Sequence, residues 1–380
     1  MEGIAESPIE FSPGGVARPI AASGPGGGAR RTQIWRHVRQ GIPLAYRPVR
    51  SLSIDLLRAL GANAAAASAS YKARDLRSLA LECGVDRALL RRCLKDLAEH
   101  NYVRLRPDSV LLAAQFDFLS APHIRSALGE RQDEVEILVL NACESTNTVL
   151  LAQALESGEA RRARFLIAEE QTAGRGRRGR KWLSAVGQAV TCSLAVQFTT
   201  PLRQLSGLSL AVGVAAARAL RGAGAANLAL KWPNDLLLGG AKLGGILVET
   251  RASHGLITAV IGIGINHTLQ PGLGERLKRE VTSLAEWLRP LPSRNEIAGR
   301  ILRELLNTLE AFRARGLDAV RAEWTALHGH AGERLRVRLA DGRVVAGLAE
   351  GVDQDGALVL RTRTGLTPVT SGEVLSARLA

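Results

Sequence analysis

The sequence predicts an α+β protein with three folded parts: a small helical domain that ends in a β-hairpin, a central mixed α/β domain and a C-terminal β-barrel. Three observations support this order. Two helical patterns precede a pair of short strands in the first third of the chain. Strands and helices alternate through the middle, and short alternating strands with Asp-Gly turns follow near the end.

Composition narrows the class of protein. Of the 380 residues 46% are apolar, which is enough for buried cores, and the formal net charge of +14 attracts polyanions such as DNA, nucleotides or acidic proteins.

The four cysteines lie far apart, so we expect reduced, mostly buried thiols and a cytoplasmic protein. No apolar run reaches about 18 residues, so no membrane span is expected. The pair His328-Gly-His330 is expected to be a surface pair between domains rather than a metal site.

Residues 1–48 are predicted to be a flexible tail, rich in glycine and without the apolar core of a signal peptide. Residues 49–118 are predicted to form a domain of their own. It contains a first short helix, a second helix stopped by Gly84, a third capped by Asp86, and then two short strands. Such helices followed by a hairpin have the plan of a winged helix-turn-helix, whose recognition helix enters the major groove of DNA.

The cations of the third helix lie largely outside its apolar stripe and are our candidate DNA-binding residues: Arg87, Arg91, Arg92 and Lys95. The pattern alone leaves open a helical domain with a charged outer surface. Residues 113–130 are expected to be a linker.

The middle of the chain, residues 123–328, is predicted to be one mixed sheet with helices. Apolar runs predict its strands: Val135–Leu140, Phe165–Ala168, Val190–Phe198, Leu228–Trp232, Gly245–Glu249 and Leu256–Ile265. Helical periodicity covers Leu205–Ala223 and Glu296–Arg315. Residues 329–380 carry short alternating runs separated by two Asp-Gly dipeptides, at Gly342 and Gly356, which are typical of hairpin turns and predict the small barrel.

The most informative segment is Gln171–Trp182, which places five cations among three glycines. Glycine lets the backbone approach a ligand closely, and arginine presents a fork of donors that matches carboxylate and phosphate oxygens. The segment is therefore typical of a loop that closes over an anionic small molecule. By itself it would also fit a nucleic-acid patch. Its literal GxGxxG pattern lacks the helix and acidic residue of a dinucleotide site.

Four further motifs accompany this loop: Glu144–Asn147, Lys231–Asp235, Lys242–Glu249 and Gly262–Asn266. Together, in this order and spacing, the five resemble the biotin–protein ligases, and the resemblance extends from about Ser51 to the C-terminus. It implies a biotin/lipoate-ligase-like catalytic domain followed by an SH3-like C-terminal domain. It also implies an ATP-dependent reaction with Mg²⁺ that makes biotinyl-5'-AMP and transfers biotin to a lysine of the biotin carboxyl carrier protein of acetyl-CoA carboxylase. Some members also bind operator DNA as homodimers and repress the biotin operon.

The same resemblance assigns candidate site residues by position. It makes Lys242 and Arg175 the catalytic cations. The biotin-binding positions are Ser145, Thr146, Asn147, Gln171, Arg175, Gly176, Arg177 and Lys242. The positions on the ATP and adenylate side are Arg178, Arg180, Trp182, Lys231, Asn234, Asp235, Gly262, Gly264 and Asn266. The metal ligands stay unassigned.

Two departures from the family pattern are visible. The residues after Trp182 include Ser184-Ala185 where Ser-Pro is usual, and the turn between the two N-terminal strands, Arg106–Ser109, is short for a wing. The short turn keeps open a ligase whose N-terminal domain no longer binds DNA specifically. A lipoate or other acyl ligase, and a regulator that binds the adenylate without transferring it, are further alternatives. The arginine-glycine loop argues against the lipoate ligase, which would also use a lysine at Lys242. Lys242 and Arg175 argue against the regulator.

Overall fold

The protein is seen in a computed structural model. It describes residues 49–62, 73–113, 116–156, 162–253, 255–269, 273–277 and 279–375. The predicted tail, residues 1–48, lies outside the described residues, as do the last five residues.

The N-terminal part of the described chain contains the helices and the hairpin that the sequence predicts. Its helices are α1 (Val49–Ala62), α2 (Leu76–Cys83) and α3 (Arg87–Glu99). The strands β1 (Arg74–Asp75), β2 (Val103–Leu105) and β3 (Ser109–Leu112) form an antiparallel sheet in the order β1-β3-β2.

The predicted cap of α3 is confirmed, because Asp86 accepts a hydrogen bond from the Leu89 amide at 2.8 Å. Asp75, which was not predicted as a cap, plays the same part in α2 and accepts from the Ser78 amide at 2.8 Å. Gly84 ends α2 at a φ of 65°, a left-handed conformation that glycine adopts without steric cost. Local sequence therefore sets the bounds of α2 and α3.

The segment predicted as a plain linker is more ordered than expected. It contains α4 (Ala121–Ser126) and a 3-10 turn (Gly129–Asp133). Leu119 and Ile124 are buried in the main core, which explains why this segment packs instead of spanning open solvent.

A seven-stranded mixed sheet forms the centre of the molecule, in the order β4-β5-β6-β10-β9-β8-β7. Only β4 and β5 pair in parallel among the described strands. The strands are β4 (Val135–Cys143), β5 (Ala163–Gln171), β6 (Ala189–Phe198), β7 (Leu228–Lys231), β8 (Asp235–Leu238), β9 (Ala241–Ser253) and β10 (Leu256–Asn266). The sequence had predicted six of these strands and missed β8.

Helices cover both faces of this sheet. Along β5, Phe165 and Ile167 point into the main core. Leu166, which lies between them, packs on the opposite face with Leu150 of the helix Thr146–Glu156. The helices are α5 (Thr146–Glu156), α6 (Leu208–Gly222), α7 (Leu273–Leu277), α8 (Leu284–Trp287), α9 (Arg294–Arg315) and α10 (Arg321–Leu327). Helix α6 is almost wholly buried and packs on α9, as its alanine-rich sequence allows. None of the helices in the described part of the chain is long and apolar enough to cross a membrane.

The C-terminal residues form a five-stranded antiparallel sheet in the order β14-β13-β12-β11-β15. Its strands are β11 (Arg334–Arg338), β12 (Val344–Val352), β13 (Leu358–Thr362), β14 (Gly365–Val369) and β15 (Glu373–Leu375). Gly342 and Gly356 both have positive φ at the predicted turns, at 87° and 77°. The sheet docks on the central part because the Trp232 indole N–H donates to the Gly356 carbonyl at 3.0 Å.

The four cysteines are free thiols, three of them buried and Cys143 half-buried, as predicted.

The prediction that His328 and His330 form a surface pair is wrong for His328. His328 is only 6% exposed and stacks on Trp324, with ring centroids 4.8 Å apart. The His330 ring lies edge-on to that of His328, with ring centroids 6.2 Å apart. Neither ring nitrogen of His328 has a hydrogen-bond partner among the described residues.

This burial predicts an acid-sensitive fold. Burial lowers the pKa of His328 to about 4, with a further contribution from His330. The unfolded chain therefore takes up this proton below about pH 6.5 while the folded chain does not, so stability is lost as the pH falls towards 4. His328→Phe, which keeps a ring on Trp324, should remove about 2 kcal/mol of the difference in unfolding free energy between pH 7.5 and pH 5. Urea denaturation at both pH values measures it.

Replacing the exposed His123 by Gln serves as the control and should leave the pH dependence as in the unaltered protein. An unchanged pH dependence in His328→Phe would contradict the assignment.

Candidate functional site

The basic loop, residues 174–182, folds back on itself between β5 and β6. The Trp182 amide donates to the Gly174 carbonyl at 2.9 Å, and the Gly176 amide donates to the Arg180 carbonyl at 2.7 Å. At its tip Arg178 has a φ of 56°, an uncommon value for a residue with a side chain. A methyl group on Gly174 would lie 2.6 Å from the Trp182 carbonyl oxygen, so this close pairing of the loop ends requires glycine there.

Two carboxylates hold the loop from outside it. Arg175 Nη2 lies 2.6 Å from Glu249 Oε2, and Arg180 Nη1 lies 3.1 Å from Glu373 Oε1. Glu249 belongs to β9 and Glu373 to β15, so the loop is bridged to both the central and the C-terminal sheet. These pairs are partly exposed and contribute little to stability by themselves. An incoming anion would compete with the same carboxylates for the arginines.

All of the loop residues line a groove of about 980 Å³. Gln171, Glu249 and Asn266 also line this groove, as do His100 and Tyr102 from the end of α3 and the start of the hairpin. Its volume is sufficient for a small organic ligand with a nucleotide.

A buried polar cluster lies at the start of α5, where Ser145, Thr146 and Asn147 are each 3% exposed. The Thr146 amide donates to Gln171 Oε1 at 2.8 Å, so the end of β5 and the start of α5 are connected. Thr146 Oγ1 and Ser193 Oγ lie 2.6 Å apart. Short hydroxyl and amide groups held in this way can bind a polar, uncharged ring.

Asn147 has its amide orientation set by its neighbours. Its Oδ1 accepts from Ser193 Oγ at 2.6 Å, and its Nδ2 donates to Glu249 Oε2 at 2.8 Å and to the Leu247 carbonyl at 3.2 Å. Glu249 Oε2 thus accepts from both Asn147 and Arg175. The buried cluster and the basic loop therefore meet at one carboxylate oxygen.

Two glycines of β10 make room for these side chains. A Cβ on Gly262 would lie 2.4 Å from Asn147 Oδ1, and one on Gly264 would lie 2.6 Å from the Trp182 ring. The alternate residues of a strand share a face, so both glycines leave the same face of the sheet bare. The Trp182 indole N–H is buried and has no acceptor among the described residues, so it is available to a ligand.

A second group of polar residues lies on β8 and β9. Lys242 Nζ forms a short contact with Asp235 Oδ1, and Asn234 Oδ1 accepts from Arg177 Nη1 at 3.4 Å. Burial lowers the pKa of the Lys242 ammonium, and the Asp235 carboxylate opposes that shift. Burial also lowers the pKa of the Arg177 guanidinium, as do its neighbours Arg178 and Arg180. Desolvated cations with further cations nearby favour an anionic ligand.

The structure brings the predicted site residues together unevenly. The loop residues, Gln171 and Asn266 line the groove. Lys242, Asn234 and Asp235 lie outside its lining, and Asn234 connects to it through Arg177. Lys231 is half-buried at the end of β7 and is also outside the lining.

Sequence reasoning missed several residues of this region. Ser193 and Glu249 contact the predicted residues directly, and Glu373 contacts the loop. Leu269, Leu273 and Arg276, which follow β10, also line the groove. Their residue types are ordinary for strands and surface turns, so no local signal distinguishes them.

Comparisons with known proteins agree with this architecture of a mixed sheet, a basic glycine loop and a β-rich C-terminal part. Residues 139–266 match the Biotin/lipoate A/B protein ligase family, and residues 330–375 match the Biotin protein ligase C terminal domain. These matches define the class as the mixed α/β fold of biotin ligases with a C-terminal β-rich domain.

Individual relatives agree with the class. The chain is 35% identical over 250 residues to the Bifunctional ligase/repressor BirA of Escherichia coli, covering 64% of this chain and 74% of that protein. It is 37% identical over 238 residues to the Biotin--[acetyl-CoA-carboxylase] ligase of Mycobacterium tuberculosis, covering 62% and 86%. The solved Biotin protein ligase from Aquifex aeolicus in complex with biotin and ATP is 27% identical, with a TM-score of 0.54 and coverage of 63% and 97%. This chain belongs to the biotin–protein ligase family.

Proposed function

We propose that this chain is a biotin–[acetyl-CoA-carboxylase] ligase. It joins biotin and ATP into biotinyl-5'-AMP with release of pyrophosphate, and then transfers biotin to a lysine of a biotin carboxyl carrier protein. The observation that carries this proposal is the meeting of the buried polar cluster and the basic loop at Glu249, in a groove on a biotin-ligase fold. The names of the relatives and of the solved structure agree with it.

The buried cluster is the proposed biotin site. Ser145, Thr146, Asn147 and Gln171 supply donors and acceptors that match a cyclic urea, and their burial excludes water from those hydrogen bonds. Arg175 and Arg177, with Gly176 between them, extend from this cluster towards the nucleotide side. A bicyclic ligand with a carboxylate tail fits this order of groups, because the polar ring would lie deep and the tail would meet the cations.

The first step brings two anions together. A carboxylate oxygen of biotin attacks the α-phosphorus of ATP, and the bond to the leaving pyrophosphate breaks. Positioned cations stabilise the charge that accumulates on the phosphate oxygens. Lys242 and Arg175 are the proposed catalytic cations, since both are held by carboxylates that an anion could replace.

The remaining residues are proposed to bind the nucleotide. Trp182 would donate its free indole N–H to it. Gly262 and Gly264, the proposed glycines of the adenylate side, leave the space that the Asn147 and Trp182 side chains occupy. The other proposed adenylate contacts are Arg178, Arg180, Lys231, Asn234, Asp235 and Asn266.

Asp235 fits a role in holding Mg²⁺. This cation takes one or two carboxylates and otherwise keeps water and substrate phosphates, and the Asp235 side chain is 26% exposed beside Lys242. The described residues contain no group of three histidine, cysteine or acidic side chains that could hold a metal ion without substrate. When bound, Mg²⁺ would neutralise phosphate charge.

In the second step the ε-amine of the carrier lysine attacks the carbonyl carbon of the mixed anhydride and AMP leaves. The intermediate reacts with water, so the groove must stay closed until the carrier arrives. The basic loop is suited to this task, because it lines the groove and is held by ion pairs with Glu249 and Glu373 that an anionic ligand could replace.

Mass spectrometry of a carrier domain tests the proposed reaction. The purified protein is mixed with biotin, Mg-ATP and a biotin carrier domain that a known ligase accepts. A mass gain equal to one biotinyl group on one lysine is expected. If the carrier gains lipoyl mass from lipoate but none from biotin, the protein is an acyl ligase of another specificity. If neither adds mass while biotinyl-AMP binds, the protein is a regulator that does not transfer.

One loop cation offers a direct prediction. Arg177→Met removes the charge that lies between Asn234 and the neighbouring arginines while keeping an unbranched side chain. We expect biotinyl-AMP to dissociate about tenfold faster, because a partly desolvated cation contacts the ligand phosphate more strongly than an exposed one. A chase of bound labelled adenylate with unlabelled ligand measures the rate. An unchanged rate would remove Arg177 from the adenylate site.

A second function is proposed for residues 49–118, as a winged helix-turn-helix that represses biotin genes. All four candidate cations of α3 are exposed, and the helix lies beside the hairpin because Arg91 Nη2 donates to the Pro107 carbonyl at 2.7 Å. A homodimer formed on adenylate binding would read a two-fold operator.

Footprinting upstream of the cell's own biotin genes, with and without biotinyl-AMP, tests this function. Protection that depends on the adenylate supports it. If no protection is seen although the protein is an active ligase, its N-terminal domain no longer binds DNA specifically.

We further propose that residues 329–380 form an SH3-like barrel and residues 123–328 the catalytic domain.

A further inference from the structure

A buried carboxylate, Glu169 of β5, connects three parts of the chain. Its side chain is fully buried. Oε1 accepts from Arg58 Nη2 at 2.6 Å and from the Leu119 amide at 2.8 Å, and Oε2 accepts from Arg294 Nη2 at 2.8 Å. A buried carboxylate requires such partners, and removing one of them leaves an uncompensated charge.

Arg58 belongs to α1, outside the central sheet. All three nitrogens of its guanidinium donate hydrogen bonds to this sheet or to Leu119, which precedes β4. Beyond Glu169, its Nε donates to Asn141 Oδ1 at 3.1 Å, and both terminal nitrogens donate to the Leu119 carbonyl at 3.1 and 3.2 Å. The guanidinium carbon also lies 5.0 Å from the centre of the Phe118 ring. Asn141 in turn donates to Asp55 of α1 at 2.5 Å.

The two strands that Arg58 contacts are those that end in the proposed biotin site. Asn141 lies on β4, four residues before Ser145, and Glu169 lies on β5, two residues before Gln171. These strands are parallel neighbours in register, so their carboxyl ends meet. Gln171 then accepts the amide of Thr146. The spacing between the ends of β4 and β5 therefore sets the position of Gln171 relative to α5.

We infer that Arg58 is a positioning residue for biotin: it fixes β4 against β5 and so places Gln171 and the start of α5. This inference rests on the proposed ligase function. The N-terminal helix thereby completes the enzyme, whether or not its domain binds DNA. The proposed catalytic cation Lys242 lies on β9, away from this pair of strands, so ATP binding should depend on Arg58 far less than biotin binding does.

The test compares Arg58→Met with Arg77→Met, an exposed arginine of α2 that serves as the matched control. Steady-state biotinylation of a carrier domain gives KM for biotin, KM for ATP and kcat. We expect KM for biotin to rise about tenfold in Arg58→Met, since displacing a binding group by a fraction of an ångström is costly. KM for ATP should stay within about twofold, and Arg58→Lys should lie between. Arg77→Met should match the unaltered protein.

Three results would overturn the inference: an unchanged KM for biotin in folded Arg58→Met, an equal rise in both KM values, or no recovery in Arg58→Lys. If Arg58→Met does not fold, Asn141→Ala removes the bonds to Arg58 and Asp55 but leaves the Arg58–Glu169 pair, and it should raise KM for biotin about threefold, leaving KM for ATP unchanged. An unaltered protein without ligase activity would refute the proposed function instead, and biotin binding by calorimetry would then decide the role of Arg58.

Discussion

Lys242→Ala should reduce the rate of biotinyl-AMP formation about a thousandfold, because it removes a preorganised cation from the charge that develops on the phosphate. The Lys242 side chain is mostly buried, and Asp235 holds its ammonium group in place. A cation from solvent would therefore not take the same position when the lysine is removed. Biotin-dependent exchange of labelled pyrophosphate into ATP measures this step.

The transfer half-reaction is the internal control for Lys242→Ala. When preformed biotinyl-AMP is supplied, carrier biotinylation should fall far less than the exchange rate does. An exchange rate within about tenfold of the unaltered protein would exclude Lys242 as the main catalytic cation.

Gly262→Ala should weaken biotin binding about a hundredfold. The added methyl group would lie 2.4 Å from Asn147 Oδ1, and Asn147 cannot move freely because Ser193, Leu247 and Glu249 all hold its amide. Either Asn147 or the strand must shift, and both displace the proposed biotin site. Isothermal titration of biotin measures the affinity.

Gly222→Ala provides a control, since a methyl group there has only the Arg300 guanidinium nearby, at 3.9 Å. It should bind biotin as the unaltered protein does. Unchanged affinity in Gly262→Ala would show that Asn147 does not contribute to biotin binding.

Much of the fold follows from local sequence. Capping by Asp75 and Asp86 and the stop at Gly84 place α2 and α3 to within a residue or two, because these signals act within one turn of helix. Long apolar runs likewise place most strands of the central sheet. Among the missed elements, β8 and β14 contain too few residues for a periodic pattern, and α5, with 11 residues, is apolar on most sides.

The candidate site could be predicted only in part, because its residues meet through long-range packing. Spacing places Arg175 and Asn147 in separate motifs, and nothing in the sequence indicates that Glu249 joins them. The same holds for Arg58, an arginine on a helix that looks like a solvent-facing cation. Its partners on the central sheet and the segment before it lie 61, 83 and 111 residues away along the chain.

The docking of Gly356 on the central part has a consequence for how this protein can evolve. A Cβ at that turn would lie 3.0 Å from the Gly207 Cα, and the turn's carbonyl is also the acceptor for Trp232. The C-terminal sheet therefore cannot be exchanged freely for that of a relative. A replacement sheet would also need a glycine at this turn, and a substitution of Gly356 would require a compensating change at the start of α6.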